Sequence, residues 1–424
     1  MSKHYVMYGK WIVGKSVMQL MNHLRYECDR MDDNNRDDGL LTACNQIIVT
    51  AGLPPSHYIY QHHGHKTCGE LDRWYEVLQS LGLESSVMTI GITGTDGKST
   101  TSRITYHLIE QLIKRNNLTN YRVVLGGNFE PSYTQLIYEI LQHHSLHPTC
   151  HIVMVVEVSS FMAHWIRRFR CEYSIFTNFH VDHLNRHHDM EDYFLSKAKL
   201  IQHTIHGSWV HPDLVQRLKE LWCHTAQAYQ SDFDIWQTVF VGQHNAYNRG
   251  AALDVVTQRS QDHHIQQVDG AVVYHDIAPL AHRTQYITTI QGVQIYSDAH
   301  GLTGQAQSSA LQSFGWRVGL ICGGSDKGFD FSTLRDVYSK YVAIAWCFGQ
   351  MKEQFHEIFE EINIPNTVYD DFGSCVHNTL DFCIQNNIQV LLFSPWCASF
   401  DSFTNRQHRA DTFLHLLTTF SPWA

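Results

Sequence analysis

Short runs of apolar residues recur along the chain, and each is bounded by glycine, proline or polar residues. The runs predict strands at 5–8, 46–50, 87–93, 122–126, 152–158, 317–322, 342–348 and 389–393. Residues 152–156 are apolar at every position, as expected of a strand that helices cover on both faces. Strands of this kind are typical of parallel sheets.

The segments between these strands contain apolar residues at helical spacing. They include Val17, Leu20, Met21 and Leu24 in one segment, and Ile104, Leu108 and Leu112 in another. The alternation of strands and helices predicts an α/β fold. We expect three domains: a Rossmann-like domain at 1–87, a central P-loop ATPase-like domain at 88–283, and a second Rossmann-like domain at 284–424.

Length and composition agree with a globular protein of several domains. The chain has 424 residues, of which 43% are hydrophobic and 17% charged. Its formal net charge is −10 and it has no long basic run, so we expect no nucleic-acid partner. An anionic small molecule remains compatible with this charge, because positive groups can gather locally in a cleft.

The cysteines and histidines narrow the picture further. The 11 cysteines are scattered and form no CxxC pair, which favours reduced thiols over disulfides or a zinc ribbon. No apolar stretch reaches the roughly 18 residues of a membrane span, and the start lacks a signal-peptide apolar region. We therefore expect a cytoplasmic protein with no membrane span. The 30 histidines occur mostly singly or in pairs, and we interpret them as surface composition rather than a metal store.

A glycine loop lies between the strand at 87–93 and a helix predicted to start at Ser99. Its residues are Gly94, Thr95, Asp96, Gly97, Lys98, Ser99 and Thr100. In this context, successive backbone N–H groups and the helix N-terminus favour a phosphate group. Lys98 is expected to reach the β- and γ-phosphates, and Ser99 to offer a hydroxyl to Mg²⁺.

Glu157 follows the apolar strand at 152–156. Ligands of open α/β sheets bind at the carboxyl ends of the strands, where a carboxylate suits Mg²⁺. Without the phosphate loop, a solvated acid would be the simpler interpretation of this residue.

Several motifs together resemble the Mur ligase superfamily. The phosphate loop is similar to the shortened loop of that family, and other stretches agree with it in order and spacing. These stretches are 126–128, 157–161, 178–183, 193–197, 242–248 and 282–283. Two C-terminal stretches, 323–331 and 394–403, resemble the MurD-type branch, which adds D-glutamate.

The resemblance implies a ligase that uses ATP in peptidoglycan precursor synthesis. It would join D-glutamate to UDP-N-acetylmuramoyl-L-alanine, whose carboxylate is first phosphorylated by ATP. The amine of the amino acid would then displace phosphate from the acyl phosphate. The domains at 1–87, 88–283 and 284–424 would bind the UDP-sugar, ATP and the amino acid, and we expect a monomer.

The resemblance also implies site residues. The catalytic residues would be Lys98, His183 and Lys197, and the ligands of two Mg²⁺ ions would be Ser99, Glu157, His183 and Lys197. Lys197 would serve as a carbamate, because an ammonium ion cannot bind a metal and a carbamate presents anionic oxygens. Lys199, two residues away, is the rival position for this modification.

Three further sets follow from the same resemblance. ATP would contact the loop residues with Asn248, Arg283 and Asp298. The UDP-sugar would contact Gly14, Lys15, Thr50, Gly52, Asn128 and Ser159, with Asp29 a weaker candidate. The amino acid would contact Lys327, Ser399 and Arg406. For Ser399, a loop hydroxyl that caps the following turn is an equal interpretation.

Four positions depart from the family pattern. Trp11 takes the second glycine position of the N-terminal turn, and His300 and Leu302 replace a lysine and a threonine. Arg406 stands where phenylalanine is common, and its guanidinium group suits a carboxylate. These departures bear on the UDP contacts and on the identity of the amino acid.

Three other interpretations remain open. The first is a sister Mur-type or folylpolyglutamate-synthase-like ligase that takes another amino acid. The second is a non-catalytic nucleotide-binding scaffold. The third is a P-loop kinase, which would leave the stretch at 394–403 without a role.

Overall fold

The computed structural model describes residues 3–9, 11–184, 186–230, 243–262, 281–301, 303–326, 331–399 and 401–420. The strands in these ranges form three sheets of four, six and six strands. The chain divides into two compact units, residues 1–232 with 247–274 and residues 233–246 with 275–424. Among the described residues, no helix is both long and apolar enough to span a bilayer.

The first sheet is parallel, with strand order β2-β1-β3-β4. Its strands are β1 (His4–Tyr8), β2 (Glu27–Met31), β3 (Gln46–Val49) and β4 (Thr67–Gly69). The helices of this region are α1 (Trp11–His23), α2 (Asp38–Ala43), α3 (Tyr58–His63) and α4 (Glu70–Ser80). The apolar positions predicted for α1 face the core: Val17, Leu20 and Met21 are fully buried, and Leu24 packs just beyond the helix.

The second sheet is also parallel, with strand order β10-β9-β8-β5-β7-β6. Its strands are β5 (Val87–Thr93), β6 (Tyr121–Gly127), β7 (His151–Glu157), β8 (Cys171–Phe176), β9 (Thr204–Val210) and β10 (Ala226–Ala228). The helices are α5 (Lys98–Arg115), α6 (Tyr133–Leu146), α7 (Ser160–Ala163), α8 (Met190–Gln202), α9 (Val215–Glu220) and α10 (Gln243–Asp262). Residues 152–156 of β7 are at most 2% exposed, which confirms a strand covered on both faces.

The first two sheets belong to one compact unit and share buried polar contacts. Trp74 Nε1 of α4 donates to Thr134 Oγ1 of α6 at 2.7 Å, and that hydroxyl donates to Glu70 Oε2 at 2.7 Å. The Asp72 carboxylate accepts from the backbone N–H groups of residues 167–169. Because these buried polar atoms find partners across the elements, the contacts fix how α4 lies against the second sheet.

The third sheet has strand order β11-β12-β16-β13-β14-β15 and is parallel except for β11, which is antiparallel to β12. Its strands are β11 (Gln285–Ile290), β12 (Val293–Ser297), β13 (Val318–Gly323), β14 (Val342–Phe348), β15 (Asn366–Tyr369) and β16 (Val390–Trp396). Its helices are α11 (Gly304–Gln312), α12 (Arg335–Tyr341), α13 (Lys352–Glu361), α14 (Phe372–Gln385) and α15 (Arg406–Thr419).

These sheets confirm the predicted α/β class. The strands group at residues 4–69, 87–228 and 285–396, while the exact domain boundaries stay a prediction. One interpretation was too broad: histidines are not only a surface feature, because His63, His187 and His282 are buried.

Candidate active site

The loop between β5 and α5 follows a path that only glycine permits at two positions. Gly94 has a φ of 148° and Gly97 a φ of 77°, values that strain any residue with a Cβ. A Cβ at Gly94 would lie 1.8 Å from Thr177 Oγ1, and one at Gly97 would lie 2.3 Å from Asn248 Oδ1. The fold therefore brings Asn248, predicted to contact ATP, against the phosphate loop.

Two residues at the end of β8 hold the loop in shape. Asn178 Oδ1 accepts from the Asp96 N–H at 2.8 Å, and Asn178 Nδ2 donates to the Asp96 carbonyl at 3.1 Å. Thr177 Oγ1 donates to the same carbonyl at 2.6 Å. Sequence reasoning assigned these residues no role. The signal in the sequence was that both residues directly follow the largely apolar segment 171–176. That segment forms β8, which pairs with β5, so its end lies beside the loop.

Two lysines converge on one carbonyl oxygen of the loop. Lys98 Nζ lies 3.0 Å from the Gly94 oxygen and 2.8 Å from the Thr95 oxygen. Lys197 Nζ lies 2.5 Å from the same Gly94 oxygen. Lys197 is 1% exposed, and burial, followed by the nearby charge of Lys98, holds the pKa of Lys197 well below its usual value. Lys197 is thus favoured as a neutral amine.

The Tyr193 ring connects Lys197 with the segment that carries His183. Lys197 Nζ lies 4.7 Å from the ring centroid, and the His183 ring lies edge-on at 5.9 Å. The Tyr193 hydroxyl is 3.2 Å from Thr95 Oγ1 of the loop. His183 Nε2 lies 3.3 Å from Asp182 Oδ2, with 42% of its side chain exposed. The sequence placed Tyr193 in the motif at 193–197 but assigned it no contact with the loop.

Glu157 presents a buried carboxylate beside the loop. Ser99 Oγ donates to Glu157 Oε2 at 2.6 Å, and Asn128 Nδ2 donates to Oε1 at 2.9 Å. Glu157 is 2% exposed. The structure therefore brings together Ser99, Glu157 and Asn128, three of the predicted site residues. Ser159, two residues further on, caps α7 by accepting from the Met162 N–H at 3.3 Å.

Lys199 points to a different neighbourhood from Lys197. Its Nζ donates to the backbone oxygen of His164 at 2.5 Å, whereas Lys197 contacts the phosphate loop. Two residues on a helix are about 200° apart around the axis, which separates their side chains. Of the two rivals, only Lys197 contacts the Gly94 carbonyl among the hydrogen bonds of the described residues.

Four of the residues predicted for the UDP-sugar follow the carboxyl ends of β1 and β3: Gly14, Lys15, Thr50 and Gly52. The other two, Asn128 and Ser159, lie near Glu157. Gly9 has a φ of 130°, and a Cβ there would lie 2.1 Å from Thr50 Oγ1, so the two turns touch. Arg186 donates to the Ala51 oxygen at 2.9 Å and to the Gly52 oxygen at 3.5 Å. Arg186 therefore connects the segment between β8 and α8 with the turn that follows β3.

The remaining N-terminal candidates differ in exposure. Gly14 is buried within α1, where a Cβ would lie 2.8 Å from Met7 Cε, while Lys15 is exposed. Asp29 Oδ2 lies 2.8 Å from His4 Nε2. The side chain of Trp11 lies outside the described residues.

The second unit places Asp298 at the carboxyl end of β12. Asp298 Oδ1 accepts from the Thr284 N–H at 3.1 Å, and Oδ2 accepts from Ser394 Oγ at 3.0 Å. Burial raises the pKa of Asp298 to about 7, although the nearby Arg283 charge acts in the opposite direction. Both oxygens are engaged inside this unit, and its predicted contact with ATP stays a prediction.

Arginine side chains surround His300 in the same unit. Burial and the charges of Arg406, Arg283 and Arg409 lower the pKa of His300 to about 3, so it is neutral at pH 7. Arg409 is fully buried and donates to the backbone oxygens of residues 397 and 398 at 3.0 Å. Sequence reasoning did not identify Arg409.

The other residues predicted to bind the amino-acid substrate differ in their burial. Ser399 is buried at 3% exposure, and Arg406 is an exposed first residue of α15. Lys327 and Leu302 lie outside the described residues.

Comparison with known proteins adds an independent line of support. The model of the Mur ligase middle domain matches residues 92–211, a range that contains the phosphate loop, Glu157, His183 and Lys197. This match makes the middle of the chain similar to the Mur ligase middle domain.

Similarity to individual relatives extends over almost the whole chain. A UDP-N-acetylmuramoylalanine–D-glutamate ligase of Aquifex aeolicus is 27% identical over 97% of this chain and 98% of its own length. A Bacillus subtilis protein of the same name is 27% identical over 87% of this chain and 82% of its own length.

Solved structures share the fold. MurF of Acinetobacter baumannii superposes with a TM-score of 0.59 at 12% identity, covering 89% of this chain and 86% of that one. MurF of Thermotoga maritima, solved in complex with ADP, gives a TM-score of 0.59 at 15% identity, covering 98% of this chain and 94% of that one. At this identity, the similarity concerns the fold alone.

Proposed function

We propose that this protein is a Mur ligase that joins UDP-N-acetylmuramoyl-L-alanine to D-glutamate in peptidoglycan precursor synthesis, with ATP as the energy source. A carboxylate oxygen of the acceptor attacks the γ-phosphorus of ATP, and ADP leaves. The amine of D-glutamate then attacks the acyl carbon, the C–O bond to phosphate breaks, and an amide forms. Phosphorylation is needed because a free carboxylate would have to expel oxide, which is a poor leaving group.

The observation that carries this proposal is the convergence of Lys98 and Lys197 on the Gly94 carbonyl, with Ser99 and Glu157 paired beside them. Phosphoryl transfer depends mainly on positioning and on offsetting negative charge. A glycine loop at a helix N-terminus supplies N–H donors for phosphate, and Lys98 supplies the adjacent cation.

The Ser99–Glu157 pair also fits a magnesium ion. Mg²⁺ prefers hard oxygen ligands and usually combines one or two carboxylates with phosphate oxygens and water. A buried carboxylate 2.6 Å from a hydroxyl offers such a donor set. Bound here, Mg²⁺ would offset charge on the β- and γ-phosphates, with Ser99 and Glu157 holding it.

Lys197 is the proposed position of the carbamate. Carbamylation requires a neutral amine, whose lone pair attacks the carbon of CO₂ as one proton leaves. Burial beside Lys98 favours that neutral form. The modification would turn a buried group into an anion next to Lys98, and with His183 it would hold a second Mg²⁺.

The surroundings of His300 favour an acidic amino acid. Because His300 is neutral, it does not replace the charge of the lysine that the family pattern carries. The cations near it are Arg283, Arg406 and Arg409. The exposed Arg406 offers a guanidinium group to a carboxylate, and the positive charge of the cluster disfavours the side-chain ammonium of lysine or diaminopimelate. This observation supports D-glutamate over the amino acids of sister ligases.

The remaining assignments complete the proposal. Residues 1–87 would bind the UDP-sugar through Gly14, Lys15, Thr50 and Gly52, with Asn128 and Ser159 nearer the reacting end. Residues 88–283 would bind ATP, with Asn248 beside the loop and Arg283 and Asp298 towards adenine and ribose. Residues 284–424 would bind the amino acid through Lys327, Ser399 and Arg406.

The test is a ligation assay with purified protein, ATP, Mg²⁺, UDP-N-acetylmuramoyl-L-alanine and a panel of amino acids. Product mass and phosphate release are measured together. We expect amide product with D-glutamate and a loss of at least about 100-fold in Lys98→Met. Lys114→Met serves as the matched control, because Lys114 lies on the same helix, pairs with Glu110 and is 60% exposed.

The other outcomes identify the competing functions. Product with L-lysine or diaminopimelate but not D-glutamate would assign a sister ligase. A stable phosphorylated product without amide would indicate a kinase. No turnover with any amino acid, despite ATP binding, would indicate a scaffold.

A further inference from the structure

Two histidines and a carboxylate lie close together next to Tyr193. None of the three is among the residues assigned to the ligase reaction. The ligand atoms of His164, His187 and Asp192 all lie within 4.8 Å of one another. His164 directly follows α7, His187 lies in the segment between His183 and α8, and Asp192 lies in the first turn of α8. The cluster therefore joins three elements of the chain.

Each histidine has one ring nitrogen held by a serine. His187 Nε2 lies 3.0 Å from Ser160 Oγ, and His164 Nδ1 lies 3.1 Å from Ser196 Oγ. The other nitrogen of His187, Nδ1, lies 3.1 Å from Asp192 Oδ2. Metal-binding histidines are oriented in this way, with the second nitrogen hydrogen-bonded so that the first faces the ion.

We propose that His164, His187 and Asp192 form a binding site for a zinc-type transition-metal ion that clamps the His183-bearing segment to α7 and α8. Two imidazoles and one carboxylate suit zinc or a similar borderline ion rather than Mg²⁺, which prefers oxygen ligands. A zinc ion at about 2.0–2.1 Å from each ligand holds them roughly 3.4 Å apart. A pair at the 4.8 Å limit would have to close by about 1.4 Å, and a water completes the coordination.

The environment keeps the ligands in the state that binds a metal. The side chain of His187 is 1% exposed. Burial lowers the pKa of both histidines, that of His164 to about 4, so the rings are neutral at pH 7. Metal binding at His187 Nδ1 would replace the contact with Asp192, and the single ring proton would then lie on Nε2, facing Ser160 Oγ.

Lys197, Lys199 and Arg186 lie near the cluster, and each donates to a backbone oxygen, Lys197 to that of Gly94. Lys199 donates to the His164 backbone oxygen. Arg186 donates to the backbone oxygens of Ala51 and Gly52. Their charge lowers affinity for a cation, while their hydrogen bonds hold them to these carbonyls.

The test measures zinc bound by the metal-free full chain, dialysed against chelator-buffered zinc and assayed by elemental analysis. Cobalt is used in parallel, because tetrahedral Co²⁺ absorbs visible light. We expect one tight equivalent in the wild type and its loss in His164→Gln. The matched control is His188→Gln, whose side chain is 88% exposed and adjacent to the site. It should keep the equivalent.

Thermal unfolding supplies a second readout that does not depend on ligase activity. Zinc should raise the Tm of the wild type and of His188→Gln but not of His164→Gln, since only a ligand of the folded state stabilises it. If His164→Gln fails to fold by circular dichroism, Asp192→Asn takes its place. Equal zinc content and equal Tm shifts in the site variant and the control would overturn the proposal, as would absence of tight zinc in the wild type.

Discussion

Replacing Gly94 by alanine should disable the phosphate loop. At a φ of 148°, a residue with a Cβ costs about 1–3 kcal/mol in backbone strain. The new Cβ would also lie 1.8 Å from Thr177 Oγ1. That hydroxyl donates to the Asp96 oxygen at 2.6 Å and lies 3.3 Å from the Thr93 oxygen, so its displacement costs about 1 kcal/mol for each bond lost.

The total, roughly 2–4 kcal/mol, is either lost from stability or relieved by moving the loop. Moving the loop also moves the Gly94 carbonyl that Lys98 and Lys197 share. Because about 1.36 kcal/mol corresponds to a tenfold change in rate, we expect kcat/KM to fall by roughly 100-fold or more. The measurement is steady-state phosphate release at varied ATP concentration, which gives kcat/KM for ATP, with saturating UDP-N-acetylmuramoyl-L-alanine and D-glutamate.

Gly82→Ala is the matched control. Gly82 also has a positive φ, 69°, but a Cβ there would meet nothing within 4 Å. It should lose about 1 kcal/mol of stability from strain alone and keep its kcat/KM. If Gly94→Ala retained kcat/KM within threefold of the wild type, the tight loop described here would not be the catalytic one.

Three further predictions concern the metal and carbamate groups and the second unit. Lys197→Ala should lower kcat by about 100-fold or more, and added formate or acetate should restore part of the activity. Lys199→Ala should keep a kcat near that of the wild type. Equal losses in the two variants would refute the assignment of the carbamate to Lys197. Glu157→Gln should raise the Mg²⁺ concentration for half-maximal rate, measured by magnesium titration, and an unchanged titration would remove Glu157 from the site. Asp298, with its pKa raised to about 7 by burial, keeps a proton in the folded state that the unfolded chain loses above its ordinary value of 3.8. Its contribution to stability therefore falls as pH rises from 4 to 7, so Asp298→Asn should be less destabilising, relative to wild type, in thermal unfolding at pH 7 than at pH 5.

The core of the fold was predictable in part. Strands with long apolar runs were identified, whereas β8 and β12, which lie inside their sheets, were missed because polar residues interrupt their sequences. β7 and β14 are covered by helices, and continuous apolar runs mark such strands. β2 (Glu27–Met31) and β10 (Ala226–Ala228) were missed because one carries charged residues and the other has three residues. Edge and short strands leave little apolar signal along the chain.

The site was predictable only as far as local motifs extend. Lys98 and Ser99 follow from the loop itself, whereas the contact of Gly94 with Thr177 joins residues far apart in the chain. The burial of Lys197 and the different direction of the Lys199 side chain depend on how α8 packs. The meeting of His164 with Asp192 likewise arises from folding, so no spacing rule could have found it.

The most direct test of the proposed reaction follows one oxygen atom. UDP-N-acetylmuramoyl-L-alanine is prepared with ¹⁸O in the alanine carboxylate, and the released phosphate is examined by ³¹P NMR after one round of ligation to D-glutamate. If the carboxylate is activated as an acyl phosphate at the loop of Lys98, the phosphate carries one ¹⁸O from the acceptor. Unlabelled phosphate accompanying labelled amide formation would contradict the account.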